Sequence, residues 1–161
     1  MIRKVRIEDA QQLLDIYNYY VKHTVITFDD IPLTLEAFKK KIESIYTFYP
    51  FLVYEENNQI LGYAYGSKWR PKPAYKHTVE TTIYLRHDSK GKRIGTQLYL
   101  KLFELLKKEN YHSFIGGLTL PNEVSVKLHE KFGFKQVAHF KEVGYKFGQW
   151  LDVGFWQLTI N

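Results

Sequence analysis

Apolar and polar positions repeat with two different periods along this chain, and the switches between them mark out its elements. Ile2 to Arg6 alternates apolar and charged residues, which predicts a short strand. From Asp9, a predicted N-cap, to about Lys22, the residues Leu13, Ile16, Tyr17, Tyr20 and Val21 fall three or four apart, on one face of a helix. His23 to Leu33 has no period: Pro32 stops regular structure, and Phe28 stands among polar neighbours. Thr34 is the predicted cap of a second helix, roughly Leu35 to Ile45. The run FLVYEENNQILGYAYGS then reads as a hairpin joined near Asn57 and Asn58. WRPKPAYKH is a loop, because prolines cannot supply ladder hydrogen bonds.

The stretch from Glu80 to Glu109 changes period inside itself. TTIYL reads as a buried strand, RHDSKGKRIG as a polar loop, and TQLYLKLFELLKKE as a helix. Another apolar run, Ser113 to Leu118, contains two consecutive glycines, and LPNEVSVKLHEKFGF predicts a short helix with Asn122 as N-cap and Gly133 just past its end. HFKEVGYKFGQWLDVGFWQLTI predicts two strands around Gly148. With strands running before and around single helices, the fold expected is α+β with a mixed sheet, in one domain over residues 1–161. A doubly wound dinucleotide fold is disfavoured, since neither G-x-G-x-x-G nor G-x-x-x-x-G-K-[ST] occurs.

Composition narrows this picture. A chain of 161 residues is long enough for a real core, since a domain of about 150 residues buries roughly 68 to 70% of its unfolded surface. There is no Cys, which removes disulfides, thiolate nucleophiles and Cys-based zinc sites, and makes a reducing cytoplasm the expected compartment. The N-terminus lacks an apolar leader and no stretch approaches a membrane span, so no membrane partner is expected. The net charge of +6 comes from separated groups, Lys39 to Lys41, Lys68 to Lys76 and Lys90 to Arg93. Such groups suit an anionic small ligand at least as well as a duplex, which favours a continuous basic face, and no nucleic-acid partner is expected.

A strand feeding a basic, glycine-containing loop and a helix start is suited to phosphate, because the first N–H groups of a helix have no partner within it. In Lys90, Gly91, Lys92, Arg93, Ile94 and Gly95 the chain resembles the acetyl-CoA loop of the GNAT superfamily of N-acetyltransferases, Q/R-x-x-G-x-G/A, with Lys90 and Arg93 as departures. YPFLV, AYKHTVETTIYL, LPNEVSVKLHEKFGF and especially GYKFGQWLDVGFWQ resemble, more narrowly, its phosphinothricin acetyltransferase group.

The resemblance implies a mostly antiparallel sheet flanked by helices and an acyltransferase using acetyl-CoA, with no metal. It implies that amides from Gly91 to Thr96, including those of Lys92, Arg93, Ile94 and Gly95, hold the pyrophosphate, and that Ile83, Tyr84 and Leu85 pair with the pantetheine arm. Asn122 matches a cofactor-contacting position, Glu80 the general base and His129 a residue for proton transfer or substrate binding. Phe28, Arg70, Lys72 and Tyr75 match acceptor-facing positions, with Arg and Lys in the reverse of the group's usual order. The function expected is direct transfer of acetyl to the α-amine of a small amino acid such as phosphinothricin, methionine sulfoximine or methionine sulfone, in a homodimer. Peptide or protein N-termini, polyamines and a non-catalytic acetyl-CoA-binding module are the alternatives.

Overall fold

Asn57 and Asn58 both take left-handed backbone, with φ of 52° and 62°, the conformation that closes a two-residue hairpin. They join β2 (Phe51–Glu56) to β3 (Gln59–Lys68). The computed structural model describes residues 1–89 and 91–161, so that Lys90 of the predicted loop lies outside the described residues. The other elements are β1 (Ile2–Lys4), α1 (Ala10–His23), α2 (Leu35–Tyr46), β4 (Thr78–Leu85), α3 (Ile94–Lys108), β5 (Ser113–Leu120), α4 (Glu123–Lys131), β6 (Lys135–Lys146) and β7 (Gln149–Thr159). All seven strands form one sheet in the order β1-β2-β3-β4-β5-β7-β6. Among the described pairs only β4 and β5 run parallel.

Strand alternation divides the core between the two faces of this sheet. Phe51 and Val53 of β2, with Tyr63 and Tyr65 of β3, meet Leu13, Ile16, Tyr17 and Val21 of α1 and Phe38 and Ile42 of α2. Leu52 and Ala64, their neighbours in sequence, turn the other way onto Leu98, Leu102 and Leu106 of α3. Each such burial stabilises the fold by about 1.5 to 3 kcal/mol before entropy is counted.

Local signals explain where the helices begin. Thr34 accepts a hydrogen bond from the Ala37 amide at 3.2 Å, as an N-cap should. Asp9 stands at the N-cap position of α1 as expected, but its side chain is used elsewhere: it closes a 3₁₀ turn, Ile7–Asp9, that leads into the helix. Its carboxylate takes the Arg6 amide at 2.7 Å and both guanidinium nitrogens of Arg3 at 2.8 Å, and caps no amide of α1. Asp9 therefore ties α1 to β1, because a bidentate guanidinium outcompetes a cap.

The feature that positions the site is a divergence. β4 and β5 pair only over Thr78–Glu80 and Ser113–Ile115. Beyond that, β4 stays with β3 as far as Leu85, while β5 stays with β7 as far as Leu120. Two edges that begin side by side thus separate, and a cleft opens between them.

Candidate active site

Ile26, Glu80, Thr81, Thr82, Ile83, Tyr84, Tyr99, Gly117, Thr119, Asn122, Ser125 and His129 line this cleft, a cavity of about 130 Å³. Its floor is a strand edge with hydrogen-bonding capacity to offer. The Arg86 amide donates to the Leu61 carbonyl of β3 at 2.8 Å. The N–H and C=O of a strand residue leave on one side and those of the next residue on the other, so Tyr84 shares the side of Arg86 while Ile83 and Leu85 turn to the cleft. The Leu85 carbonyl is met there by the Tyr20 hydroxyl. The expected pantetheine contacts thus divide: Ile83 and Leu85 have main-chain groups on the cleft side, and Tyr84 has its side chain there.

Glu80 sits where the divergence starts, opposite Ser67 of β3. Its carboxyl is half-buried, and burial pushes its pKa up against the smaller opposing pull of the Arg70 charge. His129 is on α4 and only 1% exposed. Burial pushes its pKa down, partly countered by a hydrogen bond with the Ser125 carbonyl, 2.7 Å from Nδ1. Asn122 caps α4, accepting the Ser125 amide at 3.2 Å, while also lining the cleft.

At the far end of β4 the chain turns into α3. Gly91 has φ 85° and Arg93 has φ 53°, both left-handed. Arg93 is the N-cap of α3 and makes no side-chain cap, so the amides of Ile94, Gly95 and Thr96 have no partner within the helix. The left-handed turn explains why a glycine suits that position in the related pattern; an arginine there adopts it at a cost of about 1 to 2 kcal/mol. Gly95 is buried, and an added Cβ would meet Leu85, Leu128 and Ile83 at 3.4 to 3.7 Å. Lys92 pairs with Glu56 of the β2–β3 hairpin, and the Lys131 ammonium reaches the Thr96 hydroxyl at 3.4 Å.

The acceptor-facing residues expected from the sequence do not all converge. Arg70, Lys72 and Tyr75 line a separate cavity of about 740 Å³ just past the end of β3, with Lys68, Tyr49 and Tyr111. Arg70 stacks on Trp69, its guanidinium 4.1 Å from the ring centre, and its charge still reaches Glu80. Phe28 packs its ring over Gly144 of β6, where a Cβ would collide with it, while Ile26 is the residue of that loop at the cleft. Tyr17 donates to Asp29, and buried Lys146 donates to the Thr27 carbonyl at 2.8 Å, fixing this loop between α1 and β6. Tyr99, Thr81 and Ser125 escape a reading of the sequence. Tyr99 falls in the apolar stripe of α3, where it looks like core; the paired glycines Gly116 and Gly117 are the nearest signal of close approach.

A splayed pair of parallel strands, an edge open to a ligand and an anion-ready helix start define an acyl-group transferase fold. Residues 2–154 match the Acetyltransferase (GNAT) domain family, and the chain belongs to it. The phosphinothricin N-acetyltransferase of Streptomyces coelicolor is 42% identical over 154 residues, covering 93% of this chain and 90% of that protein. The L-methionine sulfoximine/L-methionine sulfone acetyltransferase of Salmonella typhimurium is 32% identical, over 95% of this chain and 90% of its own. Among solved structures, a phosphinothricin acetyltransferase from Sinorhizobium meliloti in complex with acetyl-CoA superposes with a TM-score of 0.96 at 29% identity, covering 100% of this chain and 88% of that one. The cleft thus belongs to an N-acetyltransferase. Among the described residues, no cluster of His, Asp and Glu is arranged to hold a metal ion.

Proposed function

We propose that this chain is a single N-acetyltransferase domain that moves the acetyl group of acetyl-CoA directly onto the α-amine of a small amino acid or close analogue, of the phosphinothricin or methionine sulfoximine kind. The observation that carries this reading is the half-buried Glu80 at the mouth of the divergence, with its pKa raised by burial. An amine of pKa about 8 is mostly protonated near neutral pH and must lose a proton before it attacks. A carboxylate made more basic by burial is better matched to that proton, directly or through a water.

The rest of the site supports the same reading. The cleft-side groups of Ile83 and Leu85 suit the amides of a pantetheine arm, and the open amides at the start of α3, with Lys92 and Arg93, suit the pyrophosphate. Asn122 and the Gly91 turn complete that side. With neither a Cys nor a described Ser or Thr hydrogen-bonded to a base in the cleft, direct transfer in a ternary complex is the simpler route. Arg70 is the acceptor-side cation whose charge reaches Glu80; Lys72 and Tyr75 line the neighbouring cavity, and Phe28 packs on β6. The loop's positive charge opposes polyamines. The exposed Phe140, Val143, Tyr145 and Trp150 of the last hairpin support a homodimer, and the absence of Cys supports a cytoplasmic setting.

A thiol-release assay across an amino-acid panel tests this. CoA release is expected with methionine sulfone, methionine sulfoximine or phosphinothricin, and not with spermidine or an N-terminal peptide. Acetyl-CoA binding without release on any amine overturns the enzymatic reading, and release only on peptide or polyamine overturns the acceptor class.

A further inference from the structure

Lysine is almost never fully buried without a partner, yet Lys146, the last residue of β6, is only 4% exposed. Its ammonium donates to the Thr27 carbonyl at 2.8 Å, in the 24–34 loop between α1 and α2. Burial pushes its pKa down, and the charges of Asp29 and Asp30, in the same loop, pull it back. Along this part of β6 burial alternates: Gly144 and Lys146 turn inward, while Val143 and Tyr145 are exposed. Gly144 leaves the room that the Phe28 ring fills, since a Cβ there would lie 2.4 Å from it. The inner face of the last hairpin thus holds two successive loop residues, Thr27 by its main chain and Phe28 by its ring.

Anchors on α1 hold the rest of the loop. Asn18 bonds both main-chain groups of Leu33, at 3.0 and 3.1 Å, and the Tyr17 hydroxyl meets Thr27 Oγ1 at 3.0 Å and the Asp29 carboxylate. Ile26, 42% exposed, is the residue of this loop that lines the cleft with Glu80. Its apolar side chain has no bond of its own, so its place is inherited from the main chain on either side. Thr24 Oγ1 takes the Ile26 amide at 3.1 Å, and Lys146 takes the carbonyl of the next residue.

We propose that Lys146 is a positioning residue for the acceptor: with Phe28 seated on Gly144, its hold on the Thr27 carbonyl fixes Ile26 as the wall against which the acceptor side chain packs, and so sets the size of acceptor the cleft admits. This rests on the acetyl-transfer reading above. A loop ordered beforehand spares the acceptor the cost of ordering it on binding. The wall meets the acceptor side chain and not the reacting atoms, so it grips ground state and transition state alike, and its loss reads in the acceptor KM rather than in kcat. Acetyl-CoA, which that reading lays along β4 and the start of α3, does not depend on the loop.

Lys146→Met, which keeps the stem and removes the ammonium, tests this. Hydrogen exchange over residues 24–34 of the unliganded protein is expected to quicken about 10- to 100-fold, the worth of a hydrogen bond to a charged group, while exchange at the start of α3 stays within about twofold. The KM for methionine sulfone should rise about 10-fold, with kcat and the acetyl-CoA KM within about twofold. The preference for methionine sulfone over the bulkier phenylalanine, read as a ratio of kcat/KM, should narrow about 10-fold. Gly144→Ala, which drives Phe28 off its seat, should give the same kinetic shifts, and it carries the test should Lys146→Met fail to fold. An acceptor KM within about twofold of wild type overturns the proposal, as does an unchanged preference or a parallel rise in both KM values, the mark of general loosening. Should the wild type acetylate nothing, the acetyl-transfer reading fails and the acceptor role with it, and exchange still decides whether Lys146 holds the loop.

Discussion

Glu80 and His129 share one cleft and are both removed from water, yet burial moves their pKa values in opposite directions, up for the carboxyl and down for the imidazole. The cause is single: low dielectric disfavours whichever form is charged. The surroundings differ. Glu80 is half-buried, and the Arg70 charge opposes part of the upward shift. His129 is locked by the Ser125 carbonyl on one nitrogen and faced by Tyr99 on the other. On the proposed reading, one end of the cleft moves a proton while the other holds a neutral imidazole in place.

The largest break in this comparison comes from removing the exchangeable end. Glu80→Gln is expected to lower turnover about 100- to 10,000-fold near neutral pH, the usual worth of a general base. In the wild type the rate should rise with pH through a Glu80 pKa lifted above its ordinary range, because only the ionised carboxyl accepts the proton. In the variant that acidic limb should vanish, and activity should recover at high pH as the amine loses its proton unaided. A variant profile that superposes on the wild type removes Glu80 as base.

Disturbing the fixed end should cost less. A Cβ built on Gly116 of β5 would lie 2.6 Å from His129 Nε2 and 2.9 Å from Cδ2. Gly116→Ala must therefore displace the imidazole, at about 1 to 3 kcal/mol of stability for overpacking. Misplacement of the Tyr99 and His129 pair should lower turnover about 10- to 100-fold. Urea unfolding and steady-state kinetics check the two parts. An unchanged kcat in Gly116→Ala means that the imidazole position is irrelevant to the reaction.

Arg70→Ala sharpens the contrast without removing either end. The guanidinium holds the Glu80 pKa below what burial alone would give, so its loss should move the acidic limb of the rate profile to higher pH. Arg70 is exposed, and added salt should shrink the difference between variant and wild type. The ionisation of His129, set by burial and the Ser125 carbonyl, should stay where it was. Rate profiles at low and high salt, with imidazole NMR, read both ends at once.

What a sequence reveals of such a site depends on range. The Asn57–Asn58 hairpin, the Thr34 and Asn122 caps and the order of elements are local, and all are legible from neighbouring residues. The mixed sheet follows from that order, and its mostly antiparallel pairing from the family resemblance. The cleft is not local: it exists because β4 and β5, joined by α3, pair for only a few residues before parting. Tyr99 is hidden for the same reason, since a tyrosine in the stripe of Leu98, Leu102 and Leu106 reads as core until its hydroxyl is placed beside His129. Arg93 is a departure from a glycine pattern, and its φ of 53° gives the backbone reason for that glycine. Asp9 shows the reverse case, a sound local cap signal overruled by Arg3 reaching across from β1.

The smallest effects test the burial argument most directly, because they read stability and require no substrate. Glu80 binds its proton more tightly in the folded state than its ordinary value of 4.5 implies. The stability it contributes is thus present below about 4.5 and lost as pH rises through the raised value. His129 binds its proton less tightly than its ordinary 6.5 implies. Its contribution is present above about 6.5 and lost as pH falls through the lowered value. Glu80→Gln should therefore gain on the wild type as pH rises from about 4 toward neutrality, and His129→Gln should gain on it as pH falls below about 6.5. Each variant also carries a constant packing change, so the slope of the difference against pH is the quantity to read, from urea unfolding at closely spaced pH values. Opposite slopes follow from one desolvating cleft acting on an acid and a base. Slopes of the same sign would mean that a neighbouring charge, and not loss of water, governs at least one end.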